Sequence, residues 1–277
     1  MGLKTYYSVA VVGAGYMAEE HIKAFSAIEG VKVTGIFSRT KEKADLLANK
    51  YSILYCANSI EELYTLTHAD LVVVAVRETA VVEIIDNLLA YDWTLLFEKP
   101  FGLNLEESGV LCQKVAASKK NAFVALNRRF YSSTTQVFQD LTQDQGKRFI
   151  HVVDYENLEQ VQSFNYSSEI LKNWMYANSI HLIDYLCFFG RGKIVNVETI
   201  PYKTFDKYTT VVSKISFESG DEGLYQGLWY GPGPWSVSVT TDSTYYEMKP
   251  LEQAAKRTFK NRQYQFYKID EDRKSVV

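Results

Sequence analysis

The chain has 277 residues, a formal net charge of −3 and a composition that is 47% hydrophobic and 23% charged. That length supports one or two domains with a sizeable core. The slight acidic balance argues against a nucleic-acid partner, which would call for a basic excess or stripe. Cys56, Cys112 and Cys187 are odd in number and far apart. They fit neither a zinc spacing nor a disulfide framework, so a reducing cytoplasm and no metal site are expected. No apolar run reaches membrane-spanning length, and the N-terminus lacks a signal pattern. Gly2 is followed by Tyr6 where a myristoylation motif needs Ser or Thr.

The short apolar, β-branched run at residues 9–12 predicts a buried parallel strand that stops at Gly13. Gly13, Gly15 and Ala18 fill a G-x-G-x-x-A pattern, and apolar residues resume at helical spacing with Met17, Ile22 and Phe25. Gly13 permits the tight turn, Gly15 lets the backbone approach a pyrophosphate, and Ala18 lets the helix pack closely on the strand. The pyrophosphate then sits at the positive helix N-terminus. Following a strand and opening a helix is the context dinucleotide binding requires; the competing reading is a glycine turn in some other α/β protein.

A strand at 31–37 follows, then a helix with Ala44, Leu47 and Ala48 on one face, a short strand at 53–55, and a helix capped by Ser59 with Glu62 three residues on. Residues 71–76 read as a strand, 80–89 as a helix and 94–97 as a strand. Asn104 caps a helix running to 118, and 122–126 is one more strand. This alternation predicts an α/β Rossmann domain with a doubly wound parallel sheet over residues 1–125. Beyond it the pattern changes to a helix at 133–141, a strand at 148–155 and a single long helix at 169–189 ending at Gly190 as its C′ residue. Strands at 194–200, 209–217, 222–230, 235–240 and 245–248 then succeed one another without helices. They predict an α+β domain, residues 126–277, with an open, mainly antiparallel sheet. Gly231-Pro232-Gly233-Pro234-Trp235 reads as a turn between sheet strands.

A Rossmann unit selective for NAD places an acidic residue at the end of the second strand. Here that strand runs into Ser38, Arg39 and Thr40, with Lys43 close behind. These donors suit a ribose 2′-phosphate, so NADP is expected over NAD. Alternatively, Arg39 stacks on adenine or is a solvated charge. Lys99 lies between Glu98 and Pro100 at the carboxyl end of a parallel strand, the edge where open α/β sheets bind ligands, and Glu98 is placed to hold its ammonium group.

The order of Gly13-Ala14-Gly15-Tyr16-Met17-Ala18-Glu19-Glu20-His21, Ser38-Arg39, Glu98-Lys99-Pro100-Phe101-Gly102 and His181-Leu182-Ile183-Asp184 resembles the glucose–fructose oxidoreductase / inositol dehydrogenase family, Gfo/Idh/MocA. The resemblance spans nearly the whole chain. It implies hydride transfer between NAD(P) and a hydroxyl or keto carbon of a sugar or sugar derivative, nucleotide-linked ones included, and a homo-oligomer formed through the C-terminal sheet. It also implies that Lys99 and His181 are catalytic. Lys99 would contact the reacting oxygen and cofactor, and His181 would act as general acid/base. The cofactor set becomes Gly13, Gly15, Tyr16, Met17, Ser38, Arg39, Thr40, Lys43, Arg77, Glu98 and Lys99; the substrate set becomes Lys99, Asn127, Arg128, Asn178 and His181.

Three departures stand out. The family's Asp four residues before the His is Ala177 here, Val76-Arg77-Glu78-Thr79 replaces a Pro-x-x-x-His segment, and related sequences usually continue past the equivalent of Val277. Asp184 shares a helix face with His181 and is expected either to orient its ring or to cap or pair within the domain interface. Arg128 or Arg129 is expected to take an anionic substrate group or to form an interdomain ion pair. His21 is expected to be structural, as is a lone His in most contexts. Two alternatives of other kinds remain: a dinucleotide-binding regulator without turnover, and a biliverdin-reductase-like enzyme.

Overall fold

The computed structural model describes residues 6–163, 166–205, 208–229 and 231–269; Gly2, Tyr230 and Val277 fall outside them. The chain divides into two compact units, residues 1–125 and 126–276.

The first unit is a six-stranded, all-parallel sheet built from β1 (Tyr7–Val12), β2 (Val31–Phe37), β3 (Tyr55–Ala57), β4 (Leu71–Val74), β5 (Thr94–Phe97) and β6 (Ala122–Val124). Its order is β3-β2-β1-β4-β5-β6, with the crossover reversing between β1 and β4, where such sheets bind ligands. The connecting helices are α1 (Tyr16–Ser26), α2 (Lys41–Tyr51), α3 (Ile60–Thr67), α4 (Val81–Leu89) and α5 (Leu105–Ser118). Both faces of β1 are buried. Val9 and Val11 pack with Ile22 of α1 and Leu47 of α2, while Ala10 and Val12 pack with Leu63, Ile85 and Leu111 from α3, α4 and α5. This is why the strand reads as an unbroken apolar run. Ser59 caps α3 by accepting from the Glu62 N–H at 2.9 Å, and Asn104 caps α5 by accepting from the Glu107 N–H at 3.0 Å.

The expected third strand is displaced by two residues. Ser52 takes a left-handed conformation (φ +53°) at the end of α2, which folds Ile53 back into the helix-side core and delays β3 to Tyr55.

The second unit has one eight-stranded sheet, β14-β13-β12-β11-β7-β10-β9-β8. Its elements in chain order are α6 (Ser132–Gln143), β7 (Phe149–Glu156), α7 (Leu158–Ser163), α8 (Ser168–Lys172), α9 (Ile180–Phe189), β8 (Ile194–Phe205), β9 (Tyr208–Phe217), β10 (Glu222–Trp229), β11 (Ser236–Thr240), β12 (Thr244–Met248), β13 (Ala254–Thr258) and β14 (Gln265–Phe266). The sheet is antiparallel except where β7 pairs with β10 in parallel. Ile150 and Val152 of β7, Val137 and Leu141 of α6, and Leu182, Leu186 and Phe189 of α9 form its core.

Two expectations fail here, and two strands go beyond those expected. The helix at 169–189 is broken, with α8 separated from α9 by a π-helical turn, Met175–Ser179. Gly190 is not a left-handed cap (φ −73°, ψ 147°); it is small because a Cβ there would lie 2.5 Å from the Phe217 ring. β13 and β14 were not foreseen.

Buried Arg148 joins the ends of two helices, donating to the Phe189 carbonyl at 2.8 Å and the Leu141 carbonyl at 2.7 Å, where a cation meets the negative ends of α9 and α6. Beside it Asp221, fully buried, accepts from the Arg148 N–H and from the Arg191 guanidinium. Burial pushes the Asp221 carboxyl up, but these hydrogen bonds outweigh it and hold the pKa at about 2. Among the described residues no helix is long and apolar enough to cross a membrane, and no group of three or more His, Cys, Asp or Glu side chains is placed to hold a metal ion.

Candidate dinucleotide cleft and catalytic residues

A cleft of about 500 Å³ opens at the carboxyl ends of β1, β2 and β4. Its floor is the turn Gly13–Gly15. Gly13 has φ +121°, and a Cβ there would lie 2.1 Å from the Ala75 carbonyl oxygen. At Gly15, the N-cap of α1, a Cβ would meet nothing within 4 Å, so only the absence of a side chain keeps that space open. Thr40, the N-cap of α2, lines the same cleft. Two helix N-termini therefore bring orphan N–H groups and positive dipole ends to it.

Ser38, Arg39, Lys43 and Arg77 complete the polar wall, and no Asp or Glu lines the cleft. Lys43 and Arg77 have no carboxylate partner among the described residues. Arg39 does: its Nη1 lies 3.2 Å from Glu83 Oε2, with both side chains about 60% exposed, so the pair is weak and readily exchanged. The arrangement fits the pyrophosphate of a dinucleotide at the glycine turn. Of the remaining expected cofactor residues, Tyr16 is strongly exposed at the start of α1. Met17 packs into the core beside Val11 and Ile22. Neither lines the cleft, and Glu98 and Lys99 lie outside it as well.

Glu98 and Lys99 follow β5 directly. The Glu98 carboxylate is engaged by His21, whose Nε2 lies 2.5 Å from Oε1, and by the Lys99 backbone N–H at 3.2 Å from Oε2. His21 and Glu98 are both nearly buried. The helix that follows the glycine turn thus reaches the strand end that carries Lys99. His21 and Glu98 are 77 residues apart, so no local pattern in the sequence pairs them. Lys99 is half-buried, and its peptide bond to Pro100 is cis.

In the second unit, His181 is buried in the first turn of α9. Asp184, expected to orient its ring, has both oxygens engaged by Arg129, with Nε and Nη2 each at 2.5 Å. The bond pushes the Arg129 pKa up and accounts for its charge within this unit. Arg128 is pulled down by burial. Its guanidinium lies over the Tyr131 and Trp235 rings at 5.3 and 5.1 Å and donates to the Tyr131 hydroxyl. Its carbonyl accepts from the Thr134 and Tyr185 hydroxyls at 3.0 and 2.9 Å. Asn127, half-buried, opens the same short 3₁₀ turn. The Gly231–Trp235 segment packs on Tyr155, whose carbonyl accepts from the Trp235 indole at 3.0 Å.

Asn178 donates its side-chain N–H to Glu156 Oε1 at 2.9 Å, and the Trp174 indole donates to Glu156 Oε2 at 3.0 Å. Glu156 was missed by sequence reading; an acidic residue at the end of a strand reads as the exit from the sheet. Burial, then the neighbouring Asp154 carboxyl, pushes its pKa to about 7.

Residues 7–126 match the family model described as Gfo/Idh/MocA, oxidoreductase family, NAD-binding Rossmann fold. No curated protein sequence matches the chain. Among solved structures, the chain is similar to a dehydrogenase from Chromobacterium violaceum, with TM-score 0.81 and 18% identity over 96% of this chain and 81% of that one. It is also similar to a UDP-N-acetylglucosamine 3-dehydrogenase from Acidithiobacillus ferrooxidans, with TM-score 0.76 and 14% identity over 96% and 84%. A third is a levoglucosan dehydrogenase in complex with NADH and L-sorbose, with TM-score 0.80 and 14% identity over 95% and 80%. At these identities the likeness establishes the fold.

Proposed function

From a chain whose N-terminal unit is a Gfo/Idh/MocA oxidoreductase domain with an NAD-binding Rossmann fold, we propose an NAD(P)-dependent enzyme that interconverts a hydroxyl and a keto carbon of a sugar or sugar derivative. The observation that carries this reading is the cleft at the β1–β4 crossover. It has three cations and two helix N-termini around a glycine turn, with no acid in its lining. A bound nicotinamide dinucleotide supplies the redox chemistry, taking or giving a hydride at its ring. The chain's own residues do the rest. Lys99 holds the reacting oxygen and stabilises negative charge developing on it. His181 takes or gives the hydroxyl proton. Residues 126–277 form the substrate unit, and the exposed apolar side chains of edge strand β8, Ile194, Val195, Val197 and Ile200, support a role in self-association. NADP is the favoured cofactor, because Ser38, Arg39 and Lys43 stand where an NAD-selective site would carry an acid.

Parallel fluorescence titrations with NADPH and NADH test the site, followed by a polyol and sugar panel. Lys99→Ala is expected to abolish most turnover while leaving dinucleotide affinity within about twofold; unchanged turnover would remove Lys99 from the reaction. A second reading, a dinucleotide-binding regulator without turnover, is favoured by Ala177 and by the commitment of Asp184 to Arg129. It predicts binding with no oxidation anywhere in the panel.

A further inference from the structure

Alternation along β7 turns Ile150, Val152, Asp154 and Glu156 to its buried face. The first two are core. The last two are carboxyl groups, Asp154 fully buried and Glu156 4% exposed. Among the described residues no Lys or Arg forms an ion pair with either. Two buried anions on one strand face without a cation would be expensive, so the hydrogen bonds around them need a full account.

Glu156 accepts from Asn178 on one oxygen and from Trp174 on the other. Asp154 Oδ2 accepts from the Tyr225 hydroxyl at 2.6 Å. Asp154 Oδ1 is buried and has no N–H or O–H donor among the described residues. The group that contacts Asp154 and can supply a donor is the Glu156 carboxyl, once protonated. Among the described residues the titratable groups facing Glu156 are Asp154 on its own strand and, beyond Asp154, Tyr225 on β10. From the helical side come Trp174 and Asn178, neither of which titrates.

We propose that Glu156 carries a proton at neutral pH, donates it to Asp154 Oδ1, and serves as the positioning residue that fixes the Asn178 amide, so that Asn178 offers its carbonyl oxygen as an acceptor for a substrate hydroxyl. Asn178 is half-exposed and lies three residues, one helical turn, before His181. A hydroxyl donor held there sits beside the proposed acid/base, as the hydroxyls of a polyol or sugar would. This assignment of substrate chemistry rests on the reading of His181 given above. The proton and the amide orientation do not.

The test therefore uses the whole chain without cofactor or substrate. Infrared spectra across pH would show a protonated-carboxyl band persisting above about pH 6, where ordinary carboxylates are ionised. Glu156→Gln removes the band, and Asp154→Asn moves it to lower pH. In ¹⁵N-resolved NMR the Asn178 side-chain amide protons are shielded from exchange in the wild type. They remain shielded in Glu156→Gln, whose amide can still donate to Asp154 and accept from Asn178, and exchange freely in Glu156→Leu. A wild-type spectrum with no such band, or a band that Glu156→Gln leaves unchanged, overturns the proton assignment. An Asn178 amide that exchanges freely in the wild type overturns the positioning role. Either failure leaves the dinucleotide reading intact, since that is decided by titration of the other unit.

Discussion

Gly13 and Gly15 belong to one motif, yet their geometry predicts opposite phenotypes. A Cβ at Gly13 would lie 2.1 Å from the Ala75 carbonyl oxygen. Ala75 cannot simply retreat, because its N–H donates to the Val12 carbonyl at 2.8 Å and extends the β1–β4 pairing. Backbone strain at positive φ costs about 1–3 kcal/mol, and forced overlap costs a further ~1–3 kcal/mol. Gly13→Ala should therefore lose about 2–6 kcal/mol, a large part of the 5–15 kcal/mol or so that holds a typical domain folded. Gly15 is different. Its φ of −92° and ψ of −173° are open to any residue, and Ser is a better N-cap than Gly. Gly15→Ser should keep stability within about 0.5 kcal/mol while putting a side chain where a pyrophosphate needs close approach. NADPH affinity should fall at least about tenfold, or ~1.4 kcal/mol. Urea unfolding followed by circular dichroism measures the first effect, and NADPH fluorescence titration of the same samples measures the second. A Gly15→Ser protein that is equally stable and binds NADPH like the wild type would refute the placement of the pyrophosphate at this turn. A Gly13→Ala protein of wild-type stability would refute the account of the turn itself.

Three other perturbations follow from the charges described. Glu156 has a folded-state pKa of about 7 against an ordinary 4.5, so the folded chain holds a proton that the unfolded chain releases. Its contribution to stability is complete below about pH 4.5 and declines by roughly 3 kcal/mol as pH rises through 7. Glu156→Gln should remove that decline, as urea unfolding at pH 5 and pH 8 would show. Asp221 runs the other way. Its pKa of about 2 against 3.8 gives stability that is present above pH 4 and lost as pH falls through 2, of order 2 kcal/mol. Asp221→Asn should unfold more readily at pH 7 and show a flatter acid limb in thermal melts. At the cleft, Arg39→Gln should weaken NADPH about tenfold and NADH little, and Glu83→Gln should strengthen NADPH by releasing Arg39; equal effects on both cofactors would remove the 2′-phosphate from this corner.

The cleft was legible because most of what builds it is local. Residues 9–43 alone bring the glycine turn, both helix N-termini and the Ser38–Lys43 wall into one βαβ unit, and periodicity reads such units well. The caps at Ser59 and Asn104 were legible for the same reason. What escaped depends on partners far along the chain. For Asp184 the sequence leaves two uses open, orienting His181 or pairing elsewhere, and the partner itself was out of reach: Arg129, 55 residues away, offers a two-pronged charge and engages both oxygens. His21 needed Glu98, and Glu156 needed Trp174 and Asn178. The break in the 169–189 helix left no trace, because apolar residues three and four apart tolerate one added residue. Strand β13, Ala254–Thr258, carries Ala, Lys and Arg; its pairing with β12 makes it a strand, not its intrinsic preference.

The π-helical turn at Met175–Ser179 has a consequence for which changes this chain can accept. A π turn holds one residue more than an α turn. Downstream, α9 is locked by its core face and by Arg148 at its end. Deleting one residue from the turn would let α geometry run through, and everything upstream would rotate by about 100° and shift by about 1.5 Å relative to α9. Trp174 would leave Glu156 at once, and Glu156 would lose that donor without either side chain having been altered. The turn at Met175–Ser179 is thus a vernier: it can exchange residues far more freely than it can gain or lose one. Homologous chains that conserve neither Trp174 nor Asn178 should still conserve the count, and grafts or chimaeras cut within residues 173–180 should fail whenever they alter it.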